Sequence, residues 1–392
     1  MQQRLSSKTH SDIYKEWNLL MKELVINSAE LFVVGPDVTR CRLAADMGEV
    51  YETLTLLRLK TRCGLEGMAG ITTYSEHCFD EAPGAALKPL LADLIGVNAW
   101  DTDAIWGHLM TRYNSMTPKP QSAIDIALWD LKAKAMDLPL YQLLGGSRDH
   151  IRSYASTPFL DTTTAYVDFV HNLQQQGFNT VKFHVWCDLD QDLALLDTID
   201  RTFGHDLAFM IDLEERYSRQ DALVIAKRLE RMNCIWLEAP MVDTDLAGYA
   251  ELRRHTRVPI LPAGNTLLSP GLMTLGIEQR SWDALRTDVT YAGGFTATRT
   301  IAALAQTHDL PLELQSWGYT PTQAANLHLM LSIPNATYFE QPVPQASHEA
   351  FCLTPIRTED GIAKAPAGAG LGIEMNWSQI DKQAIWQYQI GG

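Results

Sequence analysis

The strongest constraint on this chain is a regular alternation that begins after Arg148. Short β-rich segments recur, centred on Tyr154, Val181, Phe209, Ile235, Ile260, Leu285, Leu312 and Tyr338, roughly 24 to 28 residues apart. Amphipathic helical sequence such as DALVIAKRLERM fills the intervals. Strands separated by a helix pair in parallel through a crossover. Eight such units imply an α/β fold with a closed barrel of the TIM type; a doubly wound open sheet is the competing arrangement.

The first 150 residues have a different texture. Residues 1–24 form a polar lead-in with some helical character, and a strand-like alternation follows from about 25 to 52. TLTLLRLKTRCGLEG reads as a hairpin strand closed by Gly64 and Gly67. Residues 82–144 are helical in pattern. QSAIDIALWDLKAKAMDLPLYQLLGG sets Ile124, Leu128, Leu131 and Ala135 at helical spacing and stops at Gly145-Gly146. Strands followed by helices describe a small α+β unit over 1–150, ahead of a barrel over 151–345 and a closing segment over 346–392.

Composition narrows the partners. With 32 Lys+Arg against 47 Asp+Glu the net charge is −15, unfavourable for a duplex nucleic acid or an anionic membrane surface. A local cluster of cations could still take a small anionic substrate. The six cysteines contain no C-x-x-C pair, which fits reduced thiols in a cytoplasmic protein. The N-terminus lacks the apolar core of a signal peptide, and no uncharged run approaches the roughly 18 apolar residues of a membrane span.

Chemistry in a parallel barrel sits at the C-terminal ends of its strands. Those ends carry, in order, Lys182 and His184, Asp212 and Glu214, Glu238, Asn265, Asp288, Gln315 and Glu340. Any one carboxylate is more often a salt-bridge partner, but buried charge costs several kcal/mol unless paired. So many at matched positions point to a site. Asp212, Glu238 and Asn265 offer three hard oxygen donors from adjacent strands, a set suited to Mg²⁺. Lys182 and His184, two apart, share a face. Mutual repulsion would lower both pKa values, leaving either as a base near neutral pH.

The chain resembles the enolase superfamily, in its mandelate racemase/muconate lactonizing enzyme branch. GLEGMAG, AIDIALWDLKAKAMDLPLYQLLGG, IWLEAPM, DVTYAGGFTATRTIAALA and GAGLGIE stand in the family's order, from about Leu56 to the C-terminus. The resemblance implies an α+β cap, contributed by both chain ends, over a modified barrel of eight strands and seven helices. It assigns magnesium to Asp212, Glu238 and Asn265, with the asparagine a variation seen in relatives of glucarate dehydratase. It implies a Lys or His base, its pKa tuned by its surroundings, with Mg²⁺ stabilising an enediolate. A homo-oligomer acting on a small-molecule carboxylate is also implied, with substrate choice set by cap segments near 30–42 and 71–76.

Two positions depart from the pattern. Lys182 matches the first lysine of a Lys-x-Lys motif, but His184 replaces the second. Asp288 matches the acidic half of an Asp/His dyad, yet the strand-seven position holds Gln315, which cannot titrate. Glu340 matches a carboxylate that in some relatives hydrogen-bonds the substrate. With one face stripped of its acid–base group, dehydration of a hydroxylated sugar acid is expected over racemisation. A cycloisomerase or epimerase is the alternative, and a non-catalytic scaffold that binds metal and acid is a third. His184 or Lys182 would be the base and His184, Tyr217 or Glu340 the acid. Glu214, Tyr217 and Trp317 would contact substrate. GAGLG at 368–372 has too little chain after it for a dinucleotide-binding unit and is expected to turn back against the cap. His328 and Asp130 are expected to be packing and salt-bridge residues.

Overall fold

A computed structural model describes residues 24–36, 40–113 and 117–392. Apart from Leu24, the expected polar lead-in lies outside the described residues. The N-terminal unit is an antiparallel sheet of β1 (Ile26–Val34), β2 (Arg40–Cys41), β3 (Val50–Thr61) and β4 (Glu66–Ser75). β3 pairs with β1, β2 and β4, and the expected β3–β4 hairpin turns through Gly64 at φ 85°.

Against this sheet lies the helix Lys119–Ala135. Ile124, Leu128 and Leu131 are buried as the periodicity predicts, but so are Ala123, Ile126 and Ala127. The reason is that the helix is covered twice, by β4 on one side and by a barrel helix, Gly294–Thr307, on the other. Each large apolar side chain so buried contributes about 1.5–3 kcal/mol. Gly67 makes the close approach to the sheet possible, since a Cβ there would stand 2.3 Å from the Ala127 carbonyl.

The eight expected barrel strands are all present: β5 (His150–Ser156), β6 (Thr180–His184), β7 (Ala208–Asp212), β8 (Cys234–Glu238), β9 (Ile260–Leu261), β10 (Leu285–Thr287), β11 (Leu312–Leu314) and β12 (Tyr338–Pro342). β12 pairs in parallel with β5, and β5 through β9 pair in sequence order. β10 and β11 form their own parallel ladder. Hydrogen bonds outside any ladder join that pair to its neighbours, among them Asp283 N to the Ile260 carbonyl and Ser316 Oγ to the Glu340 carbonyl. The fold is a modified barrel beneath an α+β cap. Seven helices connect the eight strands, and five of them start with a side-chain cap on Thr162, Asp188, Ser218, Asp245 or Ser269.

Period-two alternation sorts the barrel side chains. Val181, Phe183, Phe209, Ile211 and Leu237 belong to the large apolar core shared with the surrounding helices. Tyr154, Met210, Trp236, Leu261 and Ala284 form a separate apolar cluster. Beyond β12 a hairpin of β13 (Thr358–Glu359) and β14 (Ile362–Lys364) adds antiparallel to β5. The final strand, β15 (Ala384–Gly391), then pairs with β1, so the C-terminal end completes the cap sheet.

GAGLG turns back against the cap, as expected. Asp130, fully buried, accepts from Leu371 N at 2.7 Å and Met68 N at 2.8 Å, and pairs with Lys134 at 2.7 Å. His328 is a packing residue: its Nδ1 accepts from Tyr141 N and its Nε2 donates to the Leu371 carbonyl. Replacing Asp130 by Ala would strand two buried amide N–H groups. The expected loss is about 2–5 kcal/mol of unfolding free energy in urea, with Asp130→Asn losing less.

Candidate active site

The charged residues at the strand ends meet in a cavity of about 270 Å³, closed on the cap side by Leu43, Tyr74 and Lys119. Lys182, His184, Asp212, Glu214, Glu238, Asn265, Asp288, Gln315, Trp317 and Glu340 all line it. Tyr217 does not. Its hydroxyl donates to Asp192 at 2.7 Å, which corrects the expectation that it contacts substrate or supplies an acid.

Lys182 is the centre of the buried charge. Its ammonium lies 3.2 Å from Asp212, 2.9 Å from Glu238 and 2.8 Å from Glu340. Burial alone would lower its pKa, but these carboxylates, with Tyr154, raise it well above the ordinary lysine value. Lys182 therefore lacks the lowered pKa that repulsion from His184 is expected to give it. A second cation, Arg286, is 1% exposed and lies 2.8 Å from Glu238 and 3.4 Å from Glu340. Sequence reasoning passes over it, although it sits on β10 two residues before Asp288, which follows the strand's end, and so shares its face.

Glu340 is equally committed. Ser156 Oγ donates to it at 2.9 Å and Ser316 N at 3.0 Å, in addition to the two cations. Burial works toward protonation, yet Lys182 and Arg286 hold the carboxyl far below its usual range. It has no proton to give, which corrects its expected role as an acid. Burial also pushes the Glu238 carboxyl up, against the pull of Arg286 and Lys182. Those two cations and Trp236 Nε1 at 3.1 Å all donate to it, a set of partners that favours the ionised acceptor.

His184 is built differently. Its Nδ1 faces the Thr157 carbonyl, which can only accept, so the hydrogen is on Nδ1. Nε2 is left with its lone pair, 3.6 Å from Asp212 and 3.4 Å from Glu214. Burial first, then the Lys182 charge, push the pKa down to about 4, so the ring is neutral at pH 7. Trp317 packs edge-on against it with centroids 5.4 Å apart. Glu214 is carried beside Asp212 by left-handed backbone at Glu214 and Glu215, φ 50° and 62°. Burial, then Asp212, raise its carboxyl well above the usual range.

Asn265 is positioned from two sides. Asp243 accepts from Ala263 N at 2.7 Å and Gly264 N at 3.0 Å. Gly264 has φ 76°, and a Cβ there would lie 2.6 Å from the Arg286 carbonyl. The Gln315 amide nitrogen then donates to Asn265 Oδ1 at 3.0 Å. Across the cavity, Asp288 accepts on Oδ1 from Thr290 N (2.6 Å), Thr290 Oγ1 (2.7 Å) and Asn326 Nδ2 (3.0 Å). Burial raises its pKa to about 6 against these bonds.

Two donor sets could hold a cation. His184, Asp212 and Glu214 bring ligand atoms within 4.8 Å of one another. Asp212 and Glu238 both reach the Lys182 nitrogen, at 3.2 and 2.9 Å, and Asn265 lines the same cavity. The second set is all oxygen, the chemistry of a hard divalent ion; the first includes an imidazole, which suits transition metals.

Two family models match the chain: the mandelate racemase/muconate lactonizing enzyme N-terminal domain over residues 28–145, and the enolase C-terminal domain-like family over residues 165–379. A crystal structure of a Pseudovibrio sp. protein assigned to the mandelate racemase/muconate lactonizing enzyme group is 36% identical with TM-score 0.91. That alignment covers 94% of this chain and 99% of the other. A D-galactonate dehydratase of Ralstonia pickettii is 30% identical, covering 86% of this chain and 97% of the relative. A D-galactarolactone cycloisomerase of Agrobacterium fabrum is 28% identical, covering 78% and 86%.

Replacing Glu340 by Gln would leave Arg286 with Glu238 alone and Lys182 with Glu238 and Asp212. The expected cost is about 3–5 kcal/mol in denaturant unfolding, more than for any exposed ion pair. Arg219→Met, which removes the half-exposed partner of Asp245, should leave the unfolding midpoint close to that of wild type in the same assay.

Proposed function

The chain belongs to the mandelate racemase/muconate lactonizing enzyme family of the enolase superfamily, and on that premise we propose that it abstracts the proton α to a carboxylate and eliminates water from a hydroxylated sugar acid. The observation that carries this reading is the His184 tautomer: a neutral, buried imidazole with its lone pair turned into a polar cavity.

Asp212, Glu238 and Asn265 are the residues that would hold Mg²⁺. The donor chemistry fits, and so does the charge balance. Lys182 and Arg286 face three carboxylates, Asp212, Glu238 and Glu340, leaving one unit of negative charge. A divalent ion together with one substrate carboxylate restores neutrality. When bound, the ion supplies Lewis acidity to the carboxylate of the developing enediolate. The protein's own groups do the rest. His184 Nε2 accepts the α-proton, and its Nδ1–H, fixed on the Thr157 carbonyl, keeps the ring aimed. The Lys182 ammonium stabilises the negative charge that grows on the substrate oxygens. Gln315 acts by orienting Asn265, and Trp317 holds the His184 ring edge-on.

The relative named as a cycloisomerase favours a second reading, in which the same proton abstraction leads to a product of unchanged mass. Incubation with C4–C6 aldonates and aldarates separates the two: loss of one water supports the dehydratase and an isomer supports the alternative. No turnover and no α-proton exchange in D₂O for any acid would refute both.

Calorimetry with Mg²⁺ tests the roles of the donors. Asp212→Asn and Glu238→Gln should weaken binding by at least about tenfold, whereas His184→Asn should bind normally yet lose about 10²–10⁴ in turnover. Loss of Mg²⁺ binding in His184→Asn would place the ion on the other donor set.

A further inference from the structure

The sequence leaves the face opposite His184 without the histidine half of its dyad, because Gln315 is neutral. The fold supplies another group there. β6, which carries Lys182 and His184, and β10, which leads into Asp288, are second and sixth of the eight strands, so they stand across the barrel from each other. Above β10, the cap helix Lys119–Ala135 begins, and its first residue lines the same cavity. Lys119 Nζ rests 3.8 Å from the centroid of the Tyr291 ring, itself a cavity wall. Among the described residues no carboxylate forms an ion pair with it, whereas Lys182 is held by three.

The other proton carriers on this side are committed. The Tyr74 hydroxyl donates to the Trp317 carbonyl at 2.9 Å and the Tyr291 hydroxyl to the Thr72 carbonyl at 3.3 Å. Asp288 accepts three hydrogen bonds. Among the described residues on this side, Lys119 presents N–H groups to the cavity with no carboxylate paired to them. Its burial lowers the ammonium's pKa, offset by Asp288 and Asp80, which eases release of a proton.

We propose that Lys119, brought in by the cap, is the catalytic residue that protonates the departing β-oxygen. This rests on the α-proton chemistry proposed above. His184 Nε2 takes the α-proton and the C–H electron pair passes into the enediolate. That pair then forms the Cα–Cβ double bond as the Cβ–O bond breaks, and the oxygen leaves with its electrons and a proton from Lys119 Nζ, as water. The enol product gains the His184 proton at Cβ and loses its hydroxyl proton to solvent, and the Lys119 amine recovers a proton from solvent. Donor and acceptor thus act from opposite walls.

The test uses full-length Lys119→Met with Mg²⁺, the acid that wild type dehydrates fastest, and the β-fluoro analogue of that acid, whose fluoride leaves without a proton. Three readouts are followed: α-proton exchange in D₂O, water loss and fluoride release. The expected result is water loss reduced about 10²–10⁴-fold, with exchange and fluoride release within about threefold of wild type. Lys119→Arg, which keeps the charge but holds its proton, should resemble Lys119→Met in water loss. Water loss within about threefold of wild type, or equal reduction of all three readouts, would overturn the proposal. If wild type neither exchanges nor dehydrates any acid, the underlying reading fails instead, and this assignment with it.

Discussion

Five charged side chains in the barrel interior, Lys182 and Arg286 against Asp212, Glu238 and Glu340, are the condition on which the site depends. None would be tolerable alone, since an unpaired buried charge costs several kcal/mol. Together they satisfy one another at 2.8 to 3.4 Å. The same alternation that aims them inward aims Val181, Phe183, Ile211 and Leu237 outward into the helix-packed core. The barrel tolerates a polar interior because its apolar stabilisation lies mostly on the other face of each strand. Arg286 retains Nε and Nη1 without hydrogen-bond partners, a sign that the cluster is arranged for something other than maximal stability.

The cap is as much a part of the chemistry as the barrel. Its sheet is closed by the two ends of the described chain, β1 and β15, and its central helix is clamped between that sheet and a barrel helix. Asp130 ties the helix to β4 and to the C-terminal turn. Trp106 and Ser122 bond to Gly293, and Asp125 to Thr296, at the start of the helix that follows β10. This joinery fixes where Lys119 stands relative to Asp288.

Much of this is legible in the sequence. All eight barrel strands fall where the alternation of texture places them, because a parallel sheet covered by helices leaves a strong local signature. The inward residues can be read by parity from the strand ends, and applying that rule one step further back finds Arg286. Charge states are not legible. Lys182 reads as a cation weakened by His184, its only visible neighbour; three carboxylates from other strands raise its pKa instead. Tyr217 follows β7 closely but turns outward to Asp192, a direction set by loop backbone. Lys119 stays hidden because its helix belongs to the cap and only tertiary packing brings it over the barrel.

The most direct test of the account is diffraction at the manganese absorption edge from crystals soaked in Mn²⁺ as a substitute for Mg²⁺. An anomalous peak within coordination distance of Asp212, Glu238 and Asn265, with the Lys182 ammonium displaced from its place between the two carboxylates, is the expected result. A peak coordinated by His184, Asp212 and Glu214, or no peak in a cavity otherwise arranged as described, would contradict it.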